Sequence, residues 1–298
     1  MGLLLVSVAH LAQGKSMLVF DEDSSYEIPR NFRTTRDPFL PNQEIQMLPS
    51  RLGLYELQAV ASAQFSERTL KNALPKLQGN VWIVDLRRES HGFVNGLPIS
   101  WFAPHNSTNL GLSATEILQK EAKMIGDLKA ENPLWVQRIT NKKMGVIQET
   151  QPVEVVISNL ETEETLAHQL KLGYSRFVVQ DHFRPDDETV DQFINLVKSL
   201  KPNTWLYIHC RAGKGRSTSF MVIYDMLKNA KTVPLDEILL RQKMLGGSNF
   251  LHISNKPESL WKREPALERK AFLEDFYRYA ADPEGFPKKS WSEWLKQE

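Results

Sequence analysis

A chain of 298 residues with 41% hydrophobic and 24% charged residues can build one large or two modest domains with a substantial core. Its formal net charge of +1 argues against a general nucleic-acid binder, so a polyanionic ligand would need positive charge clustered locally. The single cysteine, Cys210, excludes an intramolecular disulfide. No run reaches the ~18 apolar residues of a spanning helix, so no stable membrane insertion is expected.

The opening stretch, residues 1–16, carries an apolar run of signal-peptide length without a basic flank. It reads as the remnant of a secretion signal or as a buried N-terminal strand. That favours a secreted, periplasmic or host-exported protein over a cytoplasmic one. Residues 17–298 are read as the main domain. Within them Pro29, Pro38, Pro41 and Pro49 make residues 17–50 an extended wrapping segment. Ser66 caps a helix bearing Leu70, Leu74 and Leu77, which Pro75 must shorten or kink. Asn80–Leu86 is a buried strand, and a helix followed by such a strand suits a parallel sheet. Asn95-Gly96-Leu97-Pro98 marks a turn inside a loop. Asp85, Arg87, Glu89 and His91 include metal-ligand types, but one histidine among scattered carboxylates reads as an ion-pair network, and no metal is expected.

Ser113 to Glu116 is a capping box opening a helix whose inward face is Leu118, Ala122, Ile125 and Leu128. From about Asn132 to Asn159 the pattern is strand-like, with Lys142-Lys143 at a turn. Glu163–Leu172 reads as a helix and Arg176–Gln180 as a strand, followed by a crossover helix with Val190, Phe193, Ile194 and Val197 inward. Beyond Asn229, a helix over Ile238–Leu245 is stopped by Gly246-Gly247. Phe272, Phe276, Tyr279 and Ala280 give a last long helix its core face, and Trp291 and Trp294 read as packing aromatics.

The chemistry concentrates between Trp205 and Asn229. Trp205–Ile208 is a buried strand, and Phe220, Ile223, Tyr224 and Leu227 recur at helical spacing. Between them stand His209, Cys210, Arg211, Ala212, Gly213, Lys214, Gly215, Arg216 and Ser217: a cysteine, five residues, an arginine, a hydroxyl. A strand-loop-helix unit aims backbone N–H groups and a helix N-terminus at one point, which suits a phosphate. The two glycines allow a tight curl, and the Arg216 fork matches two phosphate oxygens. An electropositive loop favours the thiolate, which can attack phosphorus and form a phosphocysteine. Ser217 is placed to donate to that sulfur as it leaves. A buried core cysteine beside an ordinary turn is the bland alternative, but five further matching positions by chance is roughly one in a million on average composition.

This loop resembles that of the protein tyrosine phosphatase superfamily. With IPRNFRTT (Ile28–Thr35), VDLRRESHGFVNGLPISWF (Val84–Phe102), QDHFRP (Gln180–Pro185), RQKMLGG (Arg241–Gly247) and SWSEWLK (Ser290–Lys296), the resemblance narrows to the bacterial PTP-like (cysteine) phytases. It implies an α/β fold, a central mixed sheet with helices on both faces, and a small β-rich partial barrel drawn from roughly 102–160. It implies hydrolysis of inositol hexakisphosphate and lower inositol polyphosphates, with no cofactor, because thiolate, guanidinium and carboxylate cover every role. Asp181, at a strand end, is the general acid by this resemblance, and His182 touches substrate phosphate. From the residues alone Asp181 could equally be a cap, with Asp186 and Asp187 as runner-up acids.

The resemblance also implies substrate contacts from the loop residues His209 to Gly215, from Arg30 or Arg33, and from Asn106, Lys142, Lys143, Lys262 and Arg269. Two positions depart from the family pattern. Arg184 stands where a tryptophan usually precedes Pro185, and could reach phosphate, while Asn106 stands where an aspartate is frequent. The basic loop is also similar to that of tensin-like phosphoinositide phosphatases, the main alternative. A protein tyrosine phosphatase and a phospho-ligand-binding pseudophosphatase are weaker ones. Nothing in the sequence sets the oligomeric state.

Overall fold

The computed structural model of the protein describes residues 16–22, 25–41 and 47–297. The apolar stretch read as a signal or strand lies outside the described residues, apart from its last position. As the prolines require, the start of the chain yields only short strands, β1 (Met17–Phe20), β2 (Arg33–Thr34) and β3 (Ala59–Ser62). Ser66 caps α1 (Glu67–Ala73) in a capping box with Thr69, and a 3-10 turn containing Pro75 ends it. β4 (Asn80–Arg87) follows, then the hairpin β5 (His91–Val94) and β6 (Leu97–Phe102). The turn signal closes that hairpin rather than a loop. Asn95 and Gly96 both take positive φ, 51° and 75°, the conformation a two-residue turn between twisted strands needs.

α2 (Ala114–Leu128) opens on the capping box of Ser113 and Glu116. Its buried face is Ile117, Glu121, Ile125 and Leu128, whereas Leu118 and Ala122 are exposed. The inward face is therefore rotated from the expected one, because Glu121 is drawn in by an ion pair with Arg176 at 2.6 Å. The long hairpin β7 (Leu134–Lys143) and β8 (Val146–Val155) turns at Met144-Gly145, one position beyond Lys142-Lys143. After it come β9 (Leu160–Glu161), α3 (Glu163–Gln169), β10 (Gly173–Val179), α4 (Asp187–Ser199) and β11 (Thr204–His209). The chain ends with α5 (Gly215–Asn229), α6 (Leu235–Met244), α7 (Arg263–Ala281) and the short α8 (Trp291–Leu295).

The central sheet runs β10-β4-β11-β3-β2, parallel except for β2. All six residues of β11 are buried, as its apolar run requires of a central strand. One face carries α4 to α8, with Phe193, Phe220, Phe276 and Trp291 in a single core. The other face is covered by α1 and α3 through Leu70 and Leu166. The second sheet runs β8-β7-β1-β6-β5-β9 and packs against α2. It draws on β1, β5 and β6 as well as on the later hairpin, so it is not confined to residues 102–160. β1 closes it by pairing antiparallel with β6 and parallel with β7.

The last helix is held by polar contacts on aromatic side chains. Trp291 stacks on Trp294 at 5.8 Å, and its indole N–H donates to Asp187 at 2.9 Å. Its backbone N–H donates to Asp191 on α4 at 2.7 Å. Five residues cannot hold a helix unaided. Trp291→Ala is expected to destabilise the fold by about 3–5 kcal/mol, read as a lower urea midpoint.

Candidate active site

The loop joining β11 to α5 is shaped by what holds it from behind. Three successive carbonyls are taken by the scaffold: Arg211 O accepts from Gln64 N at 3.3 Å, Ala212 O from the Asn31 amide at 2.9 Å, and Gly213 O from Arg33 at 2.7 Å. In a trans peptide the C=O and the next N–H point opposite ways, so the N–H groups of Ala212, Gly213 and Lys214 face the other side. Gly213 has φ +68°, and a Cβ there would lie 2.2 Å from the Ser62 carbonyl carbon. α5 begins at Gly215 with no side-chain cap, leaving its first amides open to an anion. Cys210 stands at the base of this cup and lines the cleft above it.

Arg216, from the first turn of α5, is buried and gripped by Glu89 through both fork nitrogens, at 2.8 and 3.0 Å. It also donates to the carbonyls of Leu86 and Val179. Glu89 bonds Arg87 at 2.9 Å, Arg87 pairs with Asp21 at 2.8 Å, and Asp21 pairs with Arg211 at 2.6 Å. The two loop arginines are thus joined by a chain of alternating charges. Burial alone would raise the Asp21 carboxyl, but Arg87 and Arg211 hold it at about 2.

Asp181 follows β10 and places one oxygen 3.3 Å from Arg216 Nε. Asn106 donates to its other oxygen at 3.3 Å, and His182 donates its backbone N–H at 3.1 Å. Burial would raise this carboxyl, yet the Arg216 guanidinium and His182 hold it below the usual range. Burial pushes the His182 imidazole down to about 4, with Lys262, Arg216 and Arg269 adding to the shift against the pull of Asp181. The runner-up acids are engaged elsewhere: Asp186 caps α4, and Asp187 holds Arg184 and Trp291. Arg184 does not reach the cleft. It pairs with Asp187 and Glu268 and lies over Phe272, so an ion pair ties this loop to α7.

The cleft above Cys210 encloses about 750 Å³. Arg30, Lys142, His182, Arg211, Ala212, Lys214, Gly215, Lys262 and Arg269 all line it. Of the two arginines in the RNFR stretch, Arg30 faces the cleft while Arg33 is buried behind the loop. Four further expected contacts are not in the lining: Gly213, whose carbonyl Arg33 holds from behind, and three others. His209 is buried with Nε2 2.6 Å from Glu163, Asn106 reaches only Asp181, and Lys143 is exposed outside. Ser217 Oγ is buried and without a partner among the described residues, a free donor on the turn that carries Arg216. Burial and Arg211 push the Lys142 ammonium down to about 8.

Sequence reasoning missed Arg138, Arg263 and Lys270, which also line the cleft. The signal was helical spacing: Arg263, Ala266, Arg269, Lys270 and Leu273 form one face of α7. Arg138 sits four positions before Lys142 on β7. Around His91, the expected ion-pair network is present. Asp85 lies 3.2 Å and Glu163 3.4 Å from His91 Nε2, and Arg176 pairs with both Asp85 and Glu121. These three ligand types are clustered, but the guanidiniums of Arg87 and Arg176 already supply positive charge against them.

A sequence profile for PTP-like phytases, described as inositol hexakisphosphate, matches residues 84–228. The solved PTP-like phytase of Bdellovibrio bacteriovorus is 34% identical over 95% of this chain and 95% of its own, with a TM-score of 0.72. This chain belongs to the PTP-like phytase family. The PTP-like myo-inositol phosphatase of Mitsuokella multacida, solved with myo-inositol-(1,3,4,5)-tetrakisphosphate, is 36% identical with a TM-score of 0.89. It is matched over 96% of this chain and 48% of its own. The effector protein HopD2 of Pseudomonas syringae pv. tomato is 30% identical over 88% of this chain and 56% of its own. The chain therefore spans about half the length of these two relatives.

In this member of the PTP-like phytases the His91 cluster makes a pH-dependent contribution to stability. Burial and Arg87 would lower the imidazole, but Asp85 and Glu121 raise it from 6.5 to about 9. A raised folded value means stabilisation that is complete below pH 6.5 and is lost as pH rises through about 9. Urea midpoints across that window are expected to fall in the native chain and to stay nearly level in His91→Gln. A native profile as level as that of the variant would show that no such charged imidazole exists.

Proposed function

We propose that the chain is a cysteine-dependent phosphomonoesterase that hydrolyses inositol hexakisphosphate and lower inositol polyphosphates through a phosphocysteine. The observation that carries this reading is one nucleophile, Cys210, at the floor of a cleft whose walls bring cations from both sheets and from α7. Low-dielectric walls make each of those charges count for more than it would in open water. Membership of the phytase family and the inositol tetrakisphosphate bound by the Mitsuokella relative support the same substrate class.

The Cys210 thiolate attacks phosphorus in line, forming the S–P bond while the P–O bond to the inositol oxygen breaks. Asp181 gives that oxygen its proton. Arg216 and the loop amides hold the equatorial oxygens as charge spreads over them. A phosphate dianion on Arg216 offsets the guanidinium that keeps Asp181 ionised, which favours the protonated acid when substrate is bound. In the second displacement Asp181 takes a proton from water, the water oxygen bonds phosphorus, and the S–P bond breaks. The Ser217 hydroxyl, without a partner among the described residues, donates to the departing sulfur. The relative named as an effector protein supports the reading that the chain is exported; its recovery only from the cytosol of the producing cell would count against that.

Cys210→Ser is expected to abolish turnover and to retain inositol phosphate binding in calorimetry. Asp181→Asn is expected to lower kcat about a hundredfold or more on inositol hexakisphosphate. Phosphoinositide micelles and a phosphotyrosine peptide, assayed in parallel, separate the lipid and protein alternatives. Release from either of those exceeding that from inositol hexakisphosphate would overturn the substrate assignment. Because Arg216 lowers the Asp181 pKa in the free protein, the protonated acid is lost as pH rises through an acidic value. The alkaline limb of kcat/KM is expected on the acid side of neutrality and is expected to flatten in Asp181→Asn.

A further inference from the structure

The segment between β6 and α2 makes a turn over Pro104–Asn106 that is strained at two successive residues. His105 has φ 56° and Asn106 φ 60°, a left-handed conformation that side-chain-bearing residues rarely adopt. Strain of this kind persists where surrounding contacts over-determine it. Here the two residues face different partners. Asn106 donates to the Asp181 carboxylate. The His105 ring lies against the Trp261 indole, with centroids 4.4 Å apart.

Trp261 in turn meets the His182 ring edge-on at 4.7 Å. The indole is therefore held between two imidazoles, one from the strained turn and one beside the acid. His182 is itself in a positive-φ conformation, 74°, and its carbonyl accepts from Arg269 at 2.5 Å. The turn also meets the tip of the β7–β8 hairpin, because His105 N donates to Gly145 O at 2.8 Å. Only glycine fits at that tip: a Cβ on Gly145 would lie 2.6 Å from His105 Nδ1 and 3.2 Å from the Trp261 ring. The same hairpin carries Arg138 and Lys142 into the cleft.

We propose that His105 and Trp261 are positioning residues which fix the acid pair Asp181–His182 and register it against the cation-bearing β7–β8 hairpin. The inference rests on the reading of Asp181 as the general acid. Trp261 lines the cleft whereas His105 does not, so His105 acts through Trp261 and not on substrate. A misplaced acid slows departure of a poor leaving group and matters little for a good one. Acid catalysis is worth about 10²–10⁴, so partial misplacement shows as a loss specific to the alkoxide.

The test compares kcat on inositol hexakisphosphate with kcat on 4-nitrophenyl phosphate, whose phenolate leaves readily. His105→Asn, which removes the ring but tolerates positive φ, and Trp261→Ala are each expected to lower the ratio of the two about tenfold. Trp261→Phe, which keeps an aromatic plane between the imidazoles, is expected to restore most of the ratio. Equal losses on both substrates would mean a merely structural role and would overturn the proposal, as would an unchanged ratio in both ring-deleting variants. Asp181→Asn serves as the reference. If it leaves the ratio unaltered the acid assignment itself falls, whereas a lowered ratio there with an unchanged one in His105→Asn and Trp261→Ala rejects only the positioning role.

Discussion

A guanidinium that cannot lose its charge lies buried under the loop, and the structure is built to keep it there. Burying an ion costs several kcal/mol unless its partners are arranged around it. Arg216 meets that requirement with the two-pronged grip of Glu89 and two main-chain carbonyls, at the junction of β4, β10 and β11. Glu89 is held well below the usual carboxylate range, against the effect of its burial, by Arg216 and Arg87. The grip uses the inner fork nitrogens and leaves Nε toward Asp181. One residue thereby connects the loop to Asp181.

The same electrostatic logic joins the two sheets. Asp21 stands just beyond β1, the strand that joins the two halves of the second sheet, and takes ion pairs from Arg87 and Arg211. The cleft forms where these sheets meet, so its cations come from elements far apart in sequence: Arg30, Lys142, Arg211 and Lys262. Removing one member of such a buried chain would leave its neighbour unpaired, which is more costly than losing a surface ion pair. Arg184 shows a different solution at the rim, where pairs with Asp187 and Glu268 and contact with Phe272 hold the acid loop.

Much was legible from local pattern. The order of strand, cup and helix followed from an apolar run, two glycines and helical spacing, because those signals act over a few residues. The capping box at Ser113 is equally local and was evident from the Ser-to-Glu spacing, and Ser66 was legible as a helix cap. Where the reading went astray, a distant partner was responsible. Glu121 turned α2 inward through Arg176, and β1 reached across to join the second sheet. His209 looked like a ligand contact by adjacency to the cysteine and Arg33 by the family resemblance of its stretch, yet Glu163 and a loop carbonyl claim them.

The residues themselves determined that a thiol, a guanidinium and a hydroxyl stand in one tight turn between strand and helix, since main-chain geometry leaves that turn few alternatives. Tertiary structure alone decided which cations share the cleft and what the acid touches. Charges from separate elements interact through space and not along the chain, so Arg30 rather than Arg33, and Lys142 rather than Lys143, face the bowl only because of how the two sheets pack.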